Sequence, residues 1–250
     1  MCLLALFFRV VEDAPLVVGA NREEAYTRVG EPPQRLEGSG RAIGGRDPLA
    51  GGTWLGVNEH GLLAAVTNRF KSRVPEAPRS RGLLVRELLA CKSAAAAMDQ
   101  AARELSSGRY AGCNVVCADA GGLYVLQAAD WLRVRMLPPG IHVLTAHDVN
   151  DESDRRLGHA LWWLHQRPYD TAEDCIAALK LLCAQPGNPD PPMCLRGAEG
   201  GTVSSSIIAL RPEGAPGAYL HAQGPPDVTP YQDYSHLLQG LPAAASPVSG

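Results

Sequence analysis

CLLALFFRVVEDAPLVVGANREE, residues Cys2 to Glu24, is the stretch on which the fold turns. Two β-rich apolar runs, Leu3 to Val10 and Leu16 to Ala20, are separated by Glu12-Asp13-Ala14-Pro15, a turn signal. That order predicts an antiparallel hairpin whose open end brings Cys2 beside Asn21-Arg22-Glu23-Glu24. With the turn centred on Glu12 and Asp13, Cys2 is expected opposite Glu23 and Leu3 opposite Arg22. Directly opposed residues have Cβ atoms about 5 Å apart, so a thiol, a guanidinium and carboxylates gather at one strand end. Arg22 favours the thiolate there, whereas the carboxylates oppose it unless they bind Arg22.

Cys2 also has a chemical position of its own. Methionine aminopeptidase trims Met1 before a small residue, which leaves a free α-amine on Cys2. An unperturbed amine pKa of about 8 lets that group act as the thiol's own base. The plainer reading makes Cys2 an apolar residue opening a buried strand. The hairpin by itself does not choose between the two.

Outward from this hairpin, a second one is expected from Thr53 to Val57 and Leu62 to Asn68. Its Asn58-Glu59-His60-Gly61 connection offers Gly61 for a left-handed backbone position. A third pairs Asn114 to Asp119 with Leu123 to Ala128 and continues into Leu132 to Leu137. Further strands are expected at Val203 to Leu210 and Ala218 to Ala222. Helical spacing covers Gly82 to Ala90, an alanine-rich stretch to Leu105 capped by Ser93, and Asp151 to Gln166. A fourth helix spans Thr171 to Ala184, opened by Thr171 with Asp174 three residues on, a capping box with Asp in place of Glu. Hairpin blocks with helix pairs between them predict a layered sheet–helix fold with mainly antiparallel strands. Residues 1–240 read as one domain and 241–250 as a disordered tail.

Composition excludes several classes. The chain has 250 residues, 46% of them hydrophobic, enough to bury a substantial core. Net charge is −3 without a cluster of Lys and Arg, so nucleic acid is not an expected partner. The basic run around Arg69, Lys71 and Arg73 reads as a solvated loop. Seven cysteines are an odd number without the spacing of a disulfide framework, which points to a reducing, cytoplasmic compartment. Cys113 and Cys117 lack a second Cys/His pair at zinc spacing and read as buried strand thiols, so no metal is expected. No stretch reaches the roughly 18 apolar residues of a membrane span, so an integral membrane protein is not expected.

Met1-Cys2, Asn21-Arg22-Glu23-Glu24 and Gly51-Gly52-Thr53-Trp54-Leu55-Gly56 together resemble the NRDE family, also called the Transport and Golgi organization protein 2 family. Gly61-Leu62-Leu63-Ala64-Ala65, Thr67-Asn68, Arg81-Gly82 and Asn114 before an apolar strand extend the likeness. The family signature has Asp where this chain has Glu23, one methylene longer. The resemblance implies the four-layer αββα sandwich of N-terminal-nucleophile hydrolases, closest to the penicillin V acylase and bile-salt hydrolase branch. It further implies that Cys2 attacks an amide carbonyl, Arg22 steadies the nucleophile and Asn68 holds the oxyanion. Asn21, Glu23, Trp54, Asn114 and His147 are the candidate substrate contacts, although Trp54 reads more simply as a core anchor. Two positions depart from the hydrolase pattern. Ala146 stands where an Asn is expected, and Val203 where an Arg is expected.

Two functions follow as expectations. The first is an N-terminal cysteine hydrolase of a linear amide or related acyl bond, which needs no cofactor. The second, implied by the resemblance alone, is a non-catalytic protein handling haem, or lipid and acyl-CoA, on the same fold.

Overall fold

In the computed structural model, which describes residues 2–38, 41–188, 190–212 and 217–239, the strands form two antiparallel sheets. The tail expected at 241–250 lies outside the described residues. The chain opens with β1 (Leu3–Val11) and β2 (Ala14–Ala25), then runs through β3 (Glu31–Leu36), β4 (Ala42–Arg46), β5 (Leu55–Asn58) and β6 (Leu63–Asn68). Helices α1 (Arg81–Leu88) and α2 (Ala94–Ser106) precede β7 (Cys113–Ala118), β8 (Leu123–Ala128), β9 (Leu132–Leu137) and β10 (Gly140–Leu144). Helices α3 (Arg155–Leu164) and α4 (Ala172–Cys183) lead into β11 (Gly200–Leu210), β12 (Ala218–Ala222) and the short β13 (Gln232–Asp233). No helix among the described residues is long and apolar enough to cross a membrane.

Two compact units result. The first gathers residues 2–30, 139–211 and 217–238 around a sheet of order β10-β1-β2-β11-β12-β13. Alternation along β1 sends Leu3, Ala5 and Phe7 to one face, where they pack with Val17 and Ile207 against Leu157 and Leu161 of α3 and Leu179 of α4. Asp154 caps α3 by accepting from the N–H groups of Arg156 and Leu157, so the helix starts four residues later than its periodicity suggests. The capping box of α4 forms as read, Thr171 and Asp174 each serving the other's backbone N–H.

The register of the first hairpin differs from the expected one. Val11 does pair with Ala14, as a turn at Glu12 and Asp13 requires, but Phe8 pairs with Leu16 and Leu3 with Asn21. A bulge at Arg9 and Val10 inserts one residue, with Arg9 at φ 51° in the left-handed region. Continuing this register puts Cys2 opposite Arg22 rather than Glu23. A one-residue shift reverses the face of every side chain, so Arg22 shares a face with Cys2 and Glu23 points to the helix side.

The second unit, around residues 31–138, holds the sheet β3-β4-β5-β6-β7-β8-β9. Leu62, Ala64, Cys113, Val115, Cys117 and Leu126 form its core with Leu84, Leu88, Met98 and Ala101 of α1 and α2. Ser93 caps α2 by accepting from Ala96 N–H. Strands β3 and β4 escape a pattern reading because Pro32-Pro33 and Gly44-Gly45 sit inside them. The prolines are tolerated because β3 is an edge strand.

The Gly51-Gly52-Thr53 segment seats the start of α1. Thr53 N–H donates to Gly82 C=O at 3.0 Å. A Cβ on Gly52 would lie 2.5 Å from the Gly82 carbonyl oxygen and from Leu83 N, rigid backbone on both counts. Gly52→Ala is therefore expected to cost about 1–3 kcal/mol as an overpacking defect. A thermal melt lowered by less than the roughly 2 °C that 1 kcal/mol gives in a chain of this size would contradict that seating.

Candidate functional site

The open end of the first hairpin is the best-defined polar cluster of the first unit. Cys2 is half-buried, and its Sγ lies against the Glu23 peptide group, accepting from Glu23 N–H at 3.5 Å and facing Glu23 C=O at 3.9 Å. Burial is the main cause that raises the Cys2 thiol above its usual range. The Glu23 N–H pulls against it, the Glu23 charge adds to it, and Arg22 lowers it. At neutral pH the group is thus held as a thiol, with the Glu23 N–H against its sulfur and the Arg22 charge favouring the thiolate form.

Arg22 is buried on β2, its Nη1 donating to Arg28 C=O at 3.0 Å. The carboxylates that follow it on β2 have cation partners on other segments. Glu24 pairs with Arg28 at 3.2 Å. Glu23 is held by both Nη atoms of Arg156, Nη1 at 3.1 Å from Oε2 and Nη2 against Oε1. Arg156 also donates to Pro192 C=O and Met193 C=O at 3.0 and 2.9 Å. The sequence reading missed this residue, although one signal was present. A cation in the first turn of a helix opposes the helix dipole, so Arg156 near the start of α3 needs a tertiary reason.

Asn21 is fully buried, and its Nδ2 donates to Cys183 C=O and Met193 C=O at 2.9 Å each. It therefore fastens the end of α4 and the loop after it to β2. His147 is half-exposed, with Nε2 3.3 Å from Oδ2 of Asp154, the α3 cap. The two departures from the hydrolase pattern fall beside the cluster. Leu4 pairs with Leu144, so Ala146 lies two residues past the last pair at the level of Cys2. Val203 is the extra residue of a β11 bulge between Thr202, opposite Glu23, and Ser204, opposite Arg22.

Two residues further along the same face, Ser206 pairs with both Ala20 and His221. His221 Nδ1 is 2.9 Å from Ser206 Oγ and its Nε2 is 2.8 Å from Gln223 Oε1. Burial pushes the His221 pKa down, so a neutral ring sits in this chain of polar groups.

The remaining candidates lie in the second unit. Asn68 ends β6, exposed, opposite Cys113. Asn114 is fully buried on β7, its Nδ2 donating to Thr67 Oγ1 at 3.2 Å and its Oδ1 accepting from Arg69 at 3.3 Å. Trp54 is partly buried over β4, where only a glycine fits beneath it: a Cβ on Gly45 would be 2.5 Å from its ring. Cys113 and Cys117 are buried in the core under the helices, and burial raises the Cys113 thiol to about 12.

Two antiparallel sheets, each with its helix pair, and a cysteine at the open end of the first hairpin define an N-terminal-nucleophile-hydrolase type of fold. A solved Caenorhabditis elegans N-acylethanolamine-hydrolyzing acid amidase ortholog has this fold, with a TM-score of 0.55 at 13% identity over 83% of this chain and 92% of that one. The model of the family Transport and Golgi organisation 2 matches residues 1–182, and the chain belongs to that family. The bovine Transport and Golgi organization protein 2 homolog is 32% identical over 108 residues, 42% of this chain and 38% of that protein. The human homolog is 35% identical over 77 residues, 30% of this chain and 28% of that protein. The match thus spans less than two fifths of either relative's length.

Proposed function

We propose that the chain is an N-terminal cysteine hydrolase acting on a linear amide or related acyl bond. The observation that carries this is Cys2 Sγ seated on the Glu23 peptide group with Arg22 opposite on the same face. The α-amine freed on Cys2 by removal of Met1 takes the thiol proton, and the thiolate attacks the acyl carbon. The C–N bond breaks as the amine leaves with that proton, giving a thioester on Cys2. Water then adds to the thioester, the acid is released and the thiol is restored. Arg22 favours the thiolate electrostatically, and the N–H of Glu23 gives it a hydrogen bond. The amidase ortholog of the same fold supports an acyl-amide substrate class.

A panel of acyl amides and thioesters tests the reading, using protein whose mass shows that Met1 is gone. Cys2→Ala is expected to lose about 10⁴-fold or more of turnover, the scale for removing a nucleophile. Equal turnover by both proteins sinks the proposal.

Ala146 and Val203 favour a second reading, a non-catalytic protein that handles haem or a lipid on this fold. A Soret shift on titration with haem, in a protein inactive across the panel, would establish the haem form of that reading in place of the first.

A further inference from the structure

The last strand of the second unit's sheet, β9, has no strand beyond it among the described residues. Trp131 C=O accepts from Ala129 N–H. By the alternation of an antiparallel ladder, the N–H and C=O groups of Leu132, Val134 and Met136 then point away from β8. These residues are 42%, 47% and 68% exposed, an apolar file. Their partners on β8 are Ala128, Leu126 and Tyr124, of which Leu126 and Ala128 are buried in the core with α1 and α2. The helix layer therefore covers β8 more fully than β9, where α2 reaches the strand but leaves these three residues exposed.

Arg133 and Arg135 alternate onto the other face. Nε and Nη2 of Arg135 are buried without an acceptor, and each such cationic donor left unmatched carries a desolvation cost. At the start of β9 a groove of about 700 Å³ opens between Leu105, Ala128, Trp131 and Leu132, with Lys71 and Arg73 on its wall.

Charge decides what fits this edge. A second copy pairing antiparallel about Val134 would set Arg133 directly against the other copy's Arg135, and like charges so opposed are destabilising. Inward-pointing charges of this kind are how natural edges resist self-association. A strand with acidic residues at those positions and apolar ones between them satisfies every feature. Carboxylates offset the charges of Arg133 and Arg135, apolar side chains cover Leu132, Val134 and Met136, and the backbone completes the outward ladder. We infer that β9 is a docking edge for an extended segment of a partner protein that alternates acidic and apolar residues and adds as an eighth strand.

The test is fluorescence anisotropy with a labelled, end-blocked peptide alternating glutamate and valine, and with its lysine–valine counterpart, on the full chain. The acidic peptide is expected to bind and the basic one not to. Arg133→Glu with Arg135→Glu is expected to weaken binding at least about tenfold, through two lost attractions and two new repulsions. Val134→Pro removes an outward N–H and is expected to abolish binding; Met136→Lys, on the exposed file, should weaken it without touching the backbone. Thermal melts check that each variant folds. Equal binding of both peptides, no binding of the acidic one at millimolar concentration, or indifference to all the variants overturns the inference. So does self-association in sedimentation that Met136→Lys removes, because the occupant would then be a second copy.

Discussion

Arg156→Met is expected to destabilise the protein by about 3–5 kcal/mol, the cost of breaking a buried ion pair from one side. The Glu23 side chain is 1% exposed and that of Arg156 13%. Removing the guanidinium leaves a carboxylate shut away from water without its cation. Pro192 C=O loses its donor as well, although Met193 C=O keeps Asn21. Chemical denaturation at neutral pH measures the loss. A second readout separates a purely structural role from an effect on the site. The Glu23 charge already raises the Cys2 thiol. A carboxylate opposes a thiolate more strongly once its own counter-charge is gone, so the variant's thiol should titrate at higher pH still. Alkylation of Cys2 by iodoacetamide, followed by peptide mass to separate it from the partly buried Cys91, should slow at fixed pH and shift its profile upward. Adding Glu23→Gln removes the stranded charge, which should recover most of the stability and return the profile to that of the parent or below. An alkylation profile indifferent to Arg156→Met would mean that the clamp serves packing alone.

That clamp marks the boundary of what the sequence discloses. Cys2, Arg22 and Glu23 are one hairpin apart, so local pattern and a turn signal suffice to bring them together. Their register is not legible there because a bulge depends on one residue, Arg9, taking a left-handed conformation that nothing in its side chain announces. The consequence is chemical: the bulge gives Arg22 to the thiol's face and sends Glu23 to the helices. Arg156 lies 133 residues from Glu23, and no periodicity connects positions so distant. Val203 is similar, since its bulge is set by pairing with β2 across the whole intervening chain.

The fold was more legible than the site because capping and alternation are local. Ser93, Thr171 with Asp174, and the left-handed Gly61 at φ 71° all act within a few residues of themselves. Strands β3 and β4 were not, since an edge position and a ring packed over Gly45 are tertiary facts. Asn58 shows the same division within one side chain. The sequence marks it as the start of a turn, and the structure gives it a further task.

Asn58→Ala is expected to cost about 3–5 kcal/mol, from four hydrogen bonds at about 1 kcal/mol each. Oδ1 of Asn58 accepts from His60 N–H at 2.9 Å and Leu62 N–H at 3.0 Å, which shapes the hairpin turn. Nδ2 donates to Leu89 C=O at 2.9 Å and Cys91 C=O at 2.7 Å, which ties the end of α1 to that turn. Asn58 is 2% exposed, so water replaces none of these partners without opening the structure. Asn58→Asp divides the two tasks. The aspartate variant keeps both acceptor bonds but sets a carboxylate oxygen against two carbonyl oxygens. That repulsion raises its folded-state pKa above the unfolded value of about 3.9. The protonated acid, which donates one bond, is then the form the fold favours. Stability relative to the parent is therefore best below the unfolded pKa and is lost as pH rises through the folded one. Denaturation of parent, Asn58→Ala and Asn58→Asp at pH 4 and pH 7 reads this directly. The alanine deficit should be the same at both values, whereas the aspartate deficit should grow toward pH 7. A pH-independent aspartate deficit would show that Nδ2 contributes little, and that the hairpin turn alone accounts for Asn58.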